Sequence, residues 1–233
     1  MQAKDIMTTT VITVSPREKV SAIATLMYQN HISAVPVVDD QNRLLGIVSE
    51  GDLLHRQELG TEGRRSWWLT LLTTADQRAR DYVKSHAQVA EDIMTHKLVT
   101  VSEDTELNKI ADLLERHRIK RVPVVRAGQL VGLVSRANII QALAVRGAAV
   151  PEHQAGADDR VIREQLLHTI RKELGMAGTT VNIIVENGVV HLWGVVDSAE
   201  QSKAIAVAAQ NTAGVREVEN RLILFSKLPG AGL

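Results

Sequence analysis

The chain has 233 residues, of which 45% are hydrophobic, so it can bury the core of one large domain or of several small ones. Lysine plus arginine and aspartate plus glutamate each number 27, which gives a formal net charge of zero and no global attraction to nucleic acid. The absence of cysteine excludes disulfides, thiolate catalysis and cysteine-based metal sites.

The first residues of the sequence do not resemble a signal peptide. Met1 to Met7 do not form the apolar region of a signal peptide. No apolar run approaches the ~18 residues needed to span a bilayer. We therefore expect a cytoplasmic protein.

A repeat organises residues 1–146. Four short blocks recur in the same order, the first three after 87 residues and the fourth after 86, so one loop is a residue shorter in the second copy. Four ordered matches are hard to obtain by chance, which predicts two copies of one structural unit. The matched blocks are residues 5–8 with 92–95, 13–15 with 100–102, 35–38 with 122–125, and 46–49 with 132–135.

Both copies show the same predicted order of elements, β-α-β-β-α. Short β-branched runs predict the strands, and apolar residues three and four apart predict the first helix. In the first copy the elements are residues 11–14, 18–30, 34–38, 44–48 and a helix after Ser49. In the second copy they are residues 98–101, 107–117, 122–125, 130–134 and 137–145.

The insert at residues 57–89 has no counterpart in the repeat. Its apolar residues fall on one face of a predicted amphipathic helix, which includes Trp67 and Trp68. One interpretation is a helix that lies on a membrane surface or docks a partner. The other, which we favour, is a helix that packs on the repeat or at a dimer interface.

A different kind of unit follows a linker at residues 147–157, which is rich in small residues and contains proline and glycine. Residues 158–226 predict the order α-β-β-α-β, with a hairpin turn at Asn187 and Gly188, and a tail follows at residues 227–233. Trp193 lies on a predicted strand of this unit. It is either a half-buried sheet residue, which we favour, or an anchor at a membrane interface.

The repeated unit resembles the cystathionine-β-synthase (CBS) domain. The resemblance rests on the Asp-Ile-Met-Thr openings, the Val-Pro-Val-Val strands and the Gly-Ile-Val-Ser-Glu-Gly-Asp-Leu block at residues 46–53. It assigns residues 1–56 and 90–146 to two CBS repeats. Residues 158–226 resemble the BON domain, through Gly-Val-Val at 188–190 and Leu-Trp-Gly-Val-Val at 192–196. The implied fold class is α/β (α+β), with the CBS repeats in a pseudo-twofold module beside a small BON domain.

The CBS resemblance implies adenine nucleotides, such as AMP, ADP, ATP or S-adenosylmethionine, as ligands of two clefts between the copies. A ribose needs hydrogen-bond acceptors, which Ser49 and Asp52 supply in the first copy and Ser135 and Asn138 in the second. Lys120 and Arg121 are suited to phosphate. The residues expected to surround the adenine are Ile32, Ser33, Ala34, Ile119, Met7, Thr9, Met94 and His96.

The two clefts are not equivalent. By the resemblance, the cleft that uses Ser135 and Asn138 also takes Ile32, Ser33 and Ala34 from the first copy. Asn138 stands where the family usually has aspartate, which removes a charge-assisted term on the order of 1 kcal/mol. Unequal affinities are therefore expected. The alternative is that Asp52 merely caps a helix and no nucleotide binds.

No catalytic motif is evident. The eight histidines lack metal-ligand spacing, and the sequence contains neither a nucleophile elbow nor a phosphate-cradling glycine loop. We therefore expect a non-enzymatic regulatory protein that requires no cofactor and forms a homodimer through the CBS module. It would sense a nucleotide and relay this to the BON domain. The alternative is a ligand-independent scaffold whose BON domain contacts a phospholipid surface or a protein partner.

Overall fold

The computed structural model describes four ranges of the chain, residues 1–54, 87–146, 157–176 and 181–227. The predicted helix of the insert at residues 57–89, with Trp67 and Trp68, lies almost entirely outside the described residues. The same holds for the linker at 147–157 and the tail at 227–233. Within the described ranges, no helix is both long and apolar enough to cross a membrane.

The first copy contains two short helices around a helix–hairpin core. Its elements are α1 (Ala3–Ile6), α2 (Val20–Gln29), β1 (Ala34–Val38), β2 (Leu44–Ser49) and α3 (Glu50–Leu54). Strands β1 and β2 pair antiparallel, with Ala34 opposite Ser49. α3 follows β2 directly, which places the Ser49 block at the start of this helix.

The second copy repeats this order. Its elements are α4 (Ala90–Ile93), α5 (Leu107–Arg116), β3 (Arg121–Arg126), β4 (Gln129–Ser135) and α6 (Arg136–Arg146). Strands β3 and β4 form a two-stranded sheet. α6 begins directly after Ser135, as α3 does after Ser49.

The first predicted strand of each copy is reduced to a single parallel bridge, Val14 with Val37 and Val101 with Val124. The Val14 N–H donates to the Pro36 carbonyl at 3.1 Å, and the Val38 N–H donates back to Val14 at 3.0 Å. Extending this ladder by one step would need an N–H from Pro36, which proline lacks. The proline of the Val-Pro-Val-Val strand therefore limits how many hydrogen bonds the preceding predicted strand can form with it.

The C-terminal domain is a three-stranded sheet with two helices. Its elements are α7 (Ala157–Lys172), β5 (Asn182–Glu186), β6 (Val189–Val196), α8 (Ala199–Gln210), β7 (Glu217–Leu224) and a short 3-10 helix (Phe225–Lys227). The strand order is β5-β6-β7, with β5 and β6 antiparallel and β6 and β7 parallel. Asn187 and Gly188 have φ of 52° and 76°, as the predicted hairpin turn requires.

The chain divides into two compact units, and each unit contains residues from both copies of the repeat. One unit, here called the BON-containing unit, holds residues 1–11, 99–126 and 131–233. The other, here called the first-copy unit, holds residues 12–98 and 127–130. The opening segment of the first copy (residues 1–11) therefore belongs to the same unit as the second copy and the BON domain.

Each unit has an aliphatic core. Ile23, Val35 and Ile93 are fully buried in the first-copy unit. In the BON-containing unit, Ile6 from the opening segment joins a cluster that also contains Ile184 from β5. A further cluster fills the BON domain between its helices and sheet. Its fully buried members are Leu166, Ile183, Val190, Leu192, Ile205 and Ala209.

The end of α5 offers a stability prediction. Arg118 follows the C-cap His117 and has φ of 52°, in the left-handed region that favours glycine. Arg118→Gly should raise the free energy of unfolding by about 0.5–1 kcal/mol and the melting temperature by about 2–4 °C. Arg116→Gly, inside the last turn of the helix, should lower both. Scanning calorimetry tests this, and a lower melting temperature for Arg118→Gly would contradict it.

Candidate functional site

The start of α6 is held by a reciprocal pair of side chains. The Oδ1 of Asn138 accepts hydrogen bonds from the Ser135 backbone N–H at 2.7 Å and from the Ser135 hydroxyl at 2.6 Å. The Asn138 N–H donates back to Ser135 Oγ at 3.3 Å. Asn138 is only 4% exposed. This arrangement is a capping box, which fixes both side chains at the helix start.

The start of α3 has the matching arrangement with a carboxylate. Asp52 Oδ2 accepts from the Ser49 N–H at 3.0 Å and from the Ser49 hydroxyl at 2.8 Å. Asp52 is more accessible than Asn138, since it is only partly buried. Asp52 therefore accepts capping hydrogen bonds at the start of α3. The contact of Asp52 with a nucleotide stays a prediction.

The opening segment of the first copy lies against β4. The N–H of Thr8 and that of Leu133 each donate to the other residue's carbonyl at 2.9 Å. Met7 packs over Gly132, where an added Cβ would lie 2.5 Å from the Met7 sulfur and 3.2 Å from the Thr8 carbonyl. Gly132 is therefore required by this close approach, a role that the sequence analysis missed.

The opening segment of the second copy, which contains Met94 and Thr95, packs on β2 in the same way, within the first-copy unit. Thr95 and Ile47 exchange backbone hydrogen bonds, at 2.9 and 3.2 Å. Met94 packs over Gly46, which leaves no space for a side chain there. The recurrence of glycine before each Val-Ser pair was the signal that could have predicted both contacts.

The predicted ligand-binding residues divide between the two units. Ser135, Asn138, Lys120, Arg121, Ile119, Met7 and Thr9 lie in the BON-containing unit. Ser49, Asp52, Ile32, Ser33, Ala34, Met94 and His96 lie in the first-copy unit. Each unit thus combines the strand–helix junction of one copy with the opening segment of the other. The expected contribution of Ile32, Ser33 and Ala34 to the Asn138 cleft stays a prediction.

The residues that precede β1 and β3 connect to these junctions by equivalent hydrogen bonds. The Lys120 carbonyl accepts from the Arg136 N–H at 3.0 Å, and the Ser33 carbonyl accepts from the Glu50 N–H at 3.1 Å. Lys120 is exposed, Arg121 is partly buried and Ala34 is buried. The backbone of Lys120, one of the two cations predicted to bind phosphate, therefore bonds the first residue of α6.

Three arginines of α7 bind the opening segment of the first copy. Arg160 pairs with the buried Asp5 at 3.0 Å. Arg163 donates to the carbonyls of Met7 at 2.6 Å and Ile183 at 2.8 Å. The third, Arg171, donates through Nε to Thr10 Oγ1 at 3.0 Å and through a second nitrogen to Thr9 Oγ1. The BON domain is therefore docked on the segment that carries Met7 and Thr9.

Arg163 is the buried member of this set. The pKa of Arg163 is lowered to about 10, chiefly by burial and in part by the nearby Arg171 guanidinium, while Asp5 and Glu164 oppose the shift. The side chain stays charged at neutral pH because this pKa remains well above 7. The sequence analysis missed all three arginines, although residues 160, 163 and 171 share one face of a helix.

Trp193 supports the sheet interpretation. It packs against the core cluster of the BON-containing unit, which includes Ile184. The guanidinium of Arg221 lies 4.7 Å from the centroid of its ring, a cation–π contact. The Trp193 ring therefore makes its contacts within the protein, as expected for a half-buried residue of a sheet.

The comparisons with known proteins assign the chain to a family. A model of the CBS domain matches residues 3–58 and 89–145, and a model of the BON domain matches residues 158–224. The chain therefore belongs to the CBS domain-containing proteins, with two CBS domains followed by a BON domain. Both predicted resemblances and the mixed α/β fold class are confirmed.

Individual relatives match the CBS part of the chain. The CBS domain-containing protein YhcV of Bacillus subtilis is 33% identical over 132 residues, which cover 57% of this chain and 78% of that protein. CBSX1, a chloroplastic CBS domain-containing protein of Arabidopsis thaliana, is 32% identical over 139 residues, so the match spans 55% of this chain and only 57% of that relative. The crystal structure of CBSX2 of the same plant, in complex with AMP, has 30% identity and a TM-score of 0.55, covering 62% of this chain and 97% of that one.

Proposed function

We propose that this protein is a non-enzymatic regulator that binds an adenine nucleotide through its CBS domains and transmits binding to the BON domain. The observation that carries the proposal is the recurring Ser–Asp or Ser–Asn pair at the start of α3 and α6. In both copies this pair follows a strand that bonds an opening segment. The AMP complex of the related CBSX2 supports an adenine nucleotide as the ligand.

The chemistry of each proposed contact follows from the side chains. The side chains of Asp52 and Asn138 suit the hydroxyls of a ribose, since a carboxylate accepts hydrogen bonds and an amide NH2 donates them. The guanidinium of Arg121 and the ammonium of Lys120 suit the phosphate. AMP, ADP, ATP and S-adenosylmethionine share the adenosine group that these residues would recognise. The protein is also proposed to act in the cytoplasm and to need no catalytic cofactor.

The two sites are proposed to differ in affinity because Asp52 is charged and Asn138 is neutral. Asn138→Asp should strengthen AMP binding at its site by about fivefold, and Asp52→Asn should weaken binding at the other by a similar factor, corresponding to about 1 kcal/mol. Isothermal titration of both variants measures the two affinities. Two equal sites per chain in the wild-type protein would contradict the asymmetry.

Transmission to the BON domain is supported by α7. Arg163 and Arg171 bind Met7, Thr9 and Thr10, and the first two of these residues are proposed to contact the ligand. A ligand that shifts this segment would change the contacts that hold the BON domain. Coupling of this kind requires that the ligand have different affinities for the two arrangements.

A homodimer is proposed through the exposed apolar residues of the CBS helices. Leu54 in α3 and Ile140 in α6 occupy matching positions and are 57% and 66% exposed, and Leu143 is 60% exposed. Leu143→Arg should convert a dimer into a monomer in light-scattering measurements. Val161→Arg, on the BON domain, should leave the dimer intact. A wild-type monomer at high protein concentration would contradict the proposal.

The second candidate function is a ligand-independent scaffold. It is favoured by one observation, that the oxygens of Asp52 and Asn138 accept capping hydrogen bonds at the starts of α3 and α6. In this case the BON domain would contact a phospholipid surface or a protein partner constitutively. Co-sedimentation with anionic vesicles, with and without AMP, separates the candidates. Binding that AMP does not change would favour the scaffold.

A further inference from the structure

Arg171 differs from most paired arginines of the protein. Arg43, Arg126, Arg160 and Arg221 each form an ion pair with a carboxylate. Within the described ranges, Arg171 has no carboxylate at ion-pairing distance, and its guanidinium donates to the hydroxyls of Thr9 and Thr10. A partly buried guanidinium that has no carboxylate partner among the described residues favours an anion.

The hydroxyls of Thr9 and Thr10 both lie at the Arg171 guanidinium. Thr9 Oγ1 and Thr10 Oγ1 accept from Arg171, so each hydroxyl keeps its own hydrogen to donate. The guanidinium has five N–H donors, of which these two bonds use two. Arg171, Thr9 and Thr10 therefore present several donors and no acceptor charge, the composition of a phosphate site.

The repeat gives independent support for a cation at this position. Thr9 and Thr10 match His96 and Lys97 of the second copy, 87 residues later. There the opening segment carries its own ammonium, on the exposed Lys97. In the first copy the matching position is a threonine, and the positive charge comes instead from Arg171 of the BON domain. A cation therefore lies at the same position of each opening segment: Lys97 of the segment itself in the second copy, and Arg171 of the BON domain in the first.

We propose that Arg171, Thr9 and Thr10 form a phosphate-binding cluster, in which the BON domain supplies the cation. The proposal rests on the proposed function in one respect, since it takes the phosphate to be that of the nucleotide bound at the opening segment. It therefore places Thr9 beside the phosphate of the ligand and not beside the adenine. A free phosphate ion has the same chemistry. The cluster makes the BON domain part of the ligand site, so that phosphate binding would strengthen its attachment.

The test compares three ligands on the full chain: AMP, adenosine and inorganic phosphate. Arg171→Gln removes the cation, and Lys172→Gln removes the same charge from the exposed neighbouring residue as a matched control. Arg171→Gln should lower the affinity for AMP about tenfold and leave that for adenosine unchanged. Lys172→Gln should change neither. Equal AMP affinity in wild type and Arg171→Gln would overturn the proposal.

A second variant guards against loss of folding in Arg171→Gln. The double variant Thr9→Val, Thr10→Val keeps Arg171 and the shape of both side chains, and it should also weaken AMP more than adenosine. If the wild-type protein binds neither AMP nor adenosine, the proposed function fails. The cluster is then supported by inorganic phosphate binding, measured by phosphorus NMR, that Arg171→Gln abolishes, and it is overturned if phosphate does not bind.

Discussion

Replacing Arg163 by methionine is expected to lower the free energy of unfolding of the BON-containing unit by about 2–4 kcal/mol. The guanidinium donates to the carbonyls of Met7 and Ile183, at 2.6 and 2.8 Å. Methionine has a similar length but no donor, so both carbonyls would lose this partner inside the protein. Removing one partner of a buried hydrogen bond lowers the free energy of unfolding by more than the intact bond contributes to it, because the remaining polar group is buried without a partner.

Chemical denaturation followed by circular dichroism measures this effect. Lys172→Met is the matched control, since it replaces an exposed cation of the same helix and should change the free energy of unfolding by less than about 0.5 kcal/mol. The difference between wild type and Arg163→Met should be constant from about pH 6 to 9. The folded-state pKa of Arg163, about 10, lies below the ordinary arginine value, so the unfolded state binds this proton more tightly. Stability linked to this proton therefore rises with pH only above about 10. An unchanged unfolding midpoint in Arg163→Met would contradict the docking role.

Asp52→Ala is expected to lower AMP affinity at the first-copy site about tenfold to hundredfold. The carboxylate would form charge-assisted hydrogen bonds to the ribose, each contributing about 1.5–3 kcal/mol. The variant also loses the acceptor of the Ser49 N–H and hydroxyl, which should cost about 1 kcal/mol of stability.

The control for this variant is Asp40→Ala, which removes the same charge from an exposed position in the turn between β1 and β2. It should change AMP affinity by less than about twofold. Thermal melts of both variants show whether the binding difference arises from partial unfolding. An AMP affinity of Asp52→Ala equal to that of the wild type would remove Asp52 from the ligand site and favour its role as a helix cap.

The repeat made most of the fold predictable from the sequence. Each matched block constrained its counterpart, so the helices and hairpins of both copies were predicted close to their observed bounds. The strand predicted at residues 11–14 is only a single bridge, because Pro36 in the neighbouring strand has no N–H to donate. The β-branched pattern of residues 11–14 contains no information about Pro36. Local composition predicts a strand, but pairing depends on the partner.

The arginine contacts of α7 could not be predicted in the same way. Arg163 binds Met7, which is distant in sequence, and no local pattern encodes that pairing. The sequence predicted a BON domain after a linker, but it did not predict that this domain shares a compact unit with the opening segment and the second copy. Long-range hydrogen bonds of buried charges depend on tertiary packing, which periodicity alone does not specify.

Isothermal titration of the full wild-type chain with AMP tests the central claim most directly. The proposed sensor should bind AMP with micromolar affinity, about −8 kcal/mol, at sites of unequal strength. Binding should also raise the melting temperature at AMP concentrations far above the dissociation constant. No heat of binding, together with an unchanged melting temperature in millimolar AMP, would contradict the claim and support the ligand-independent scaffold.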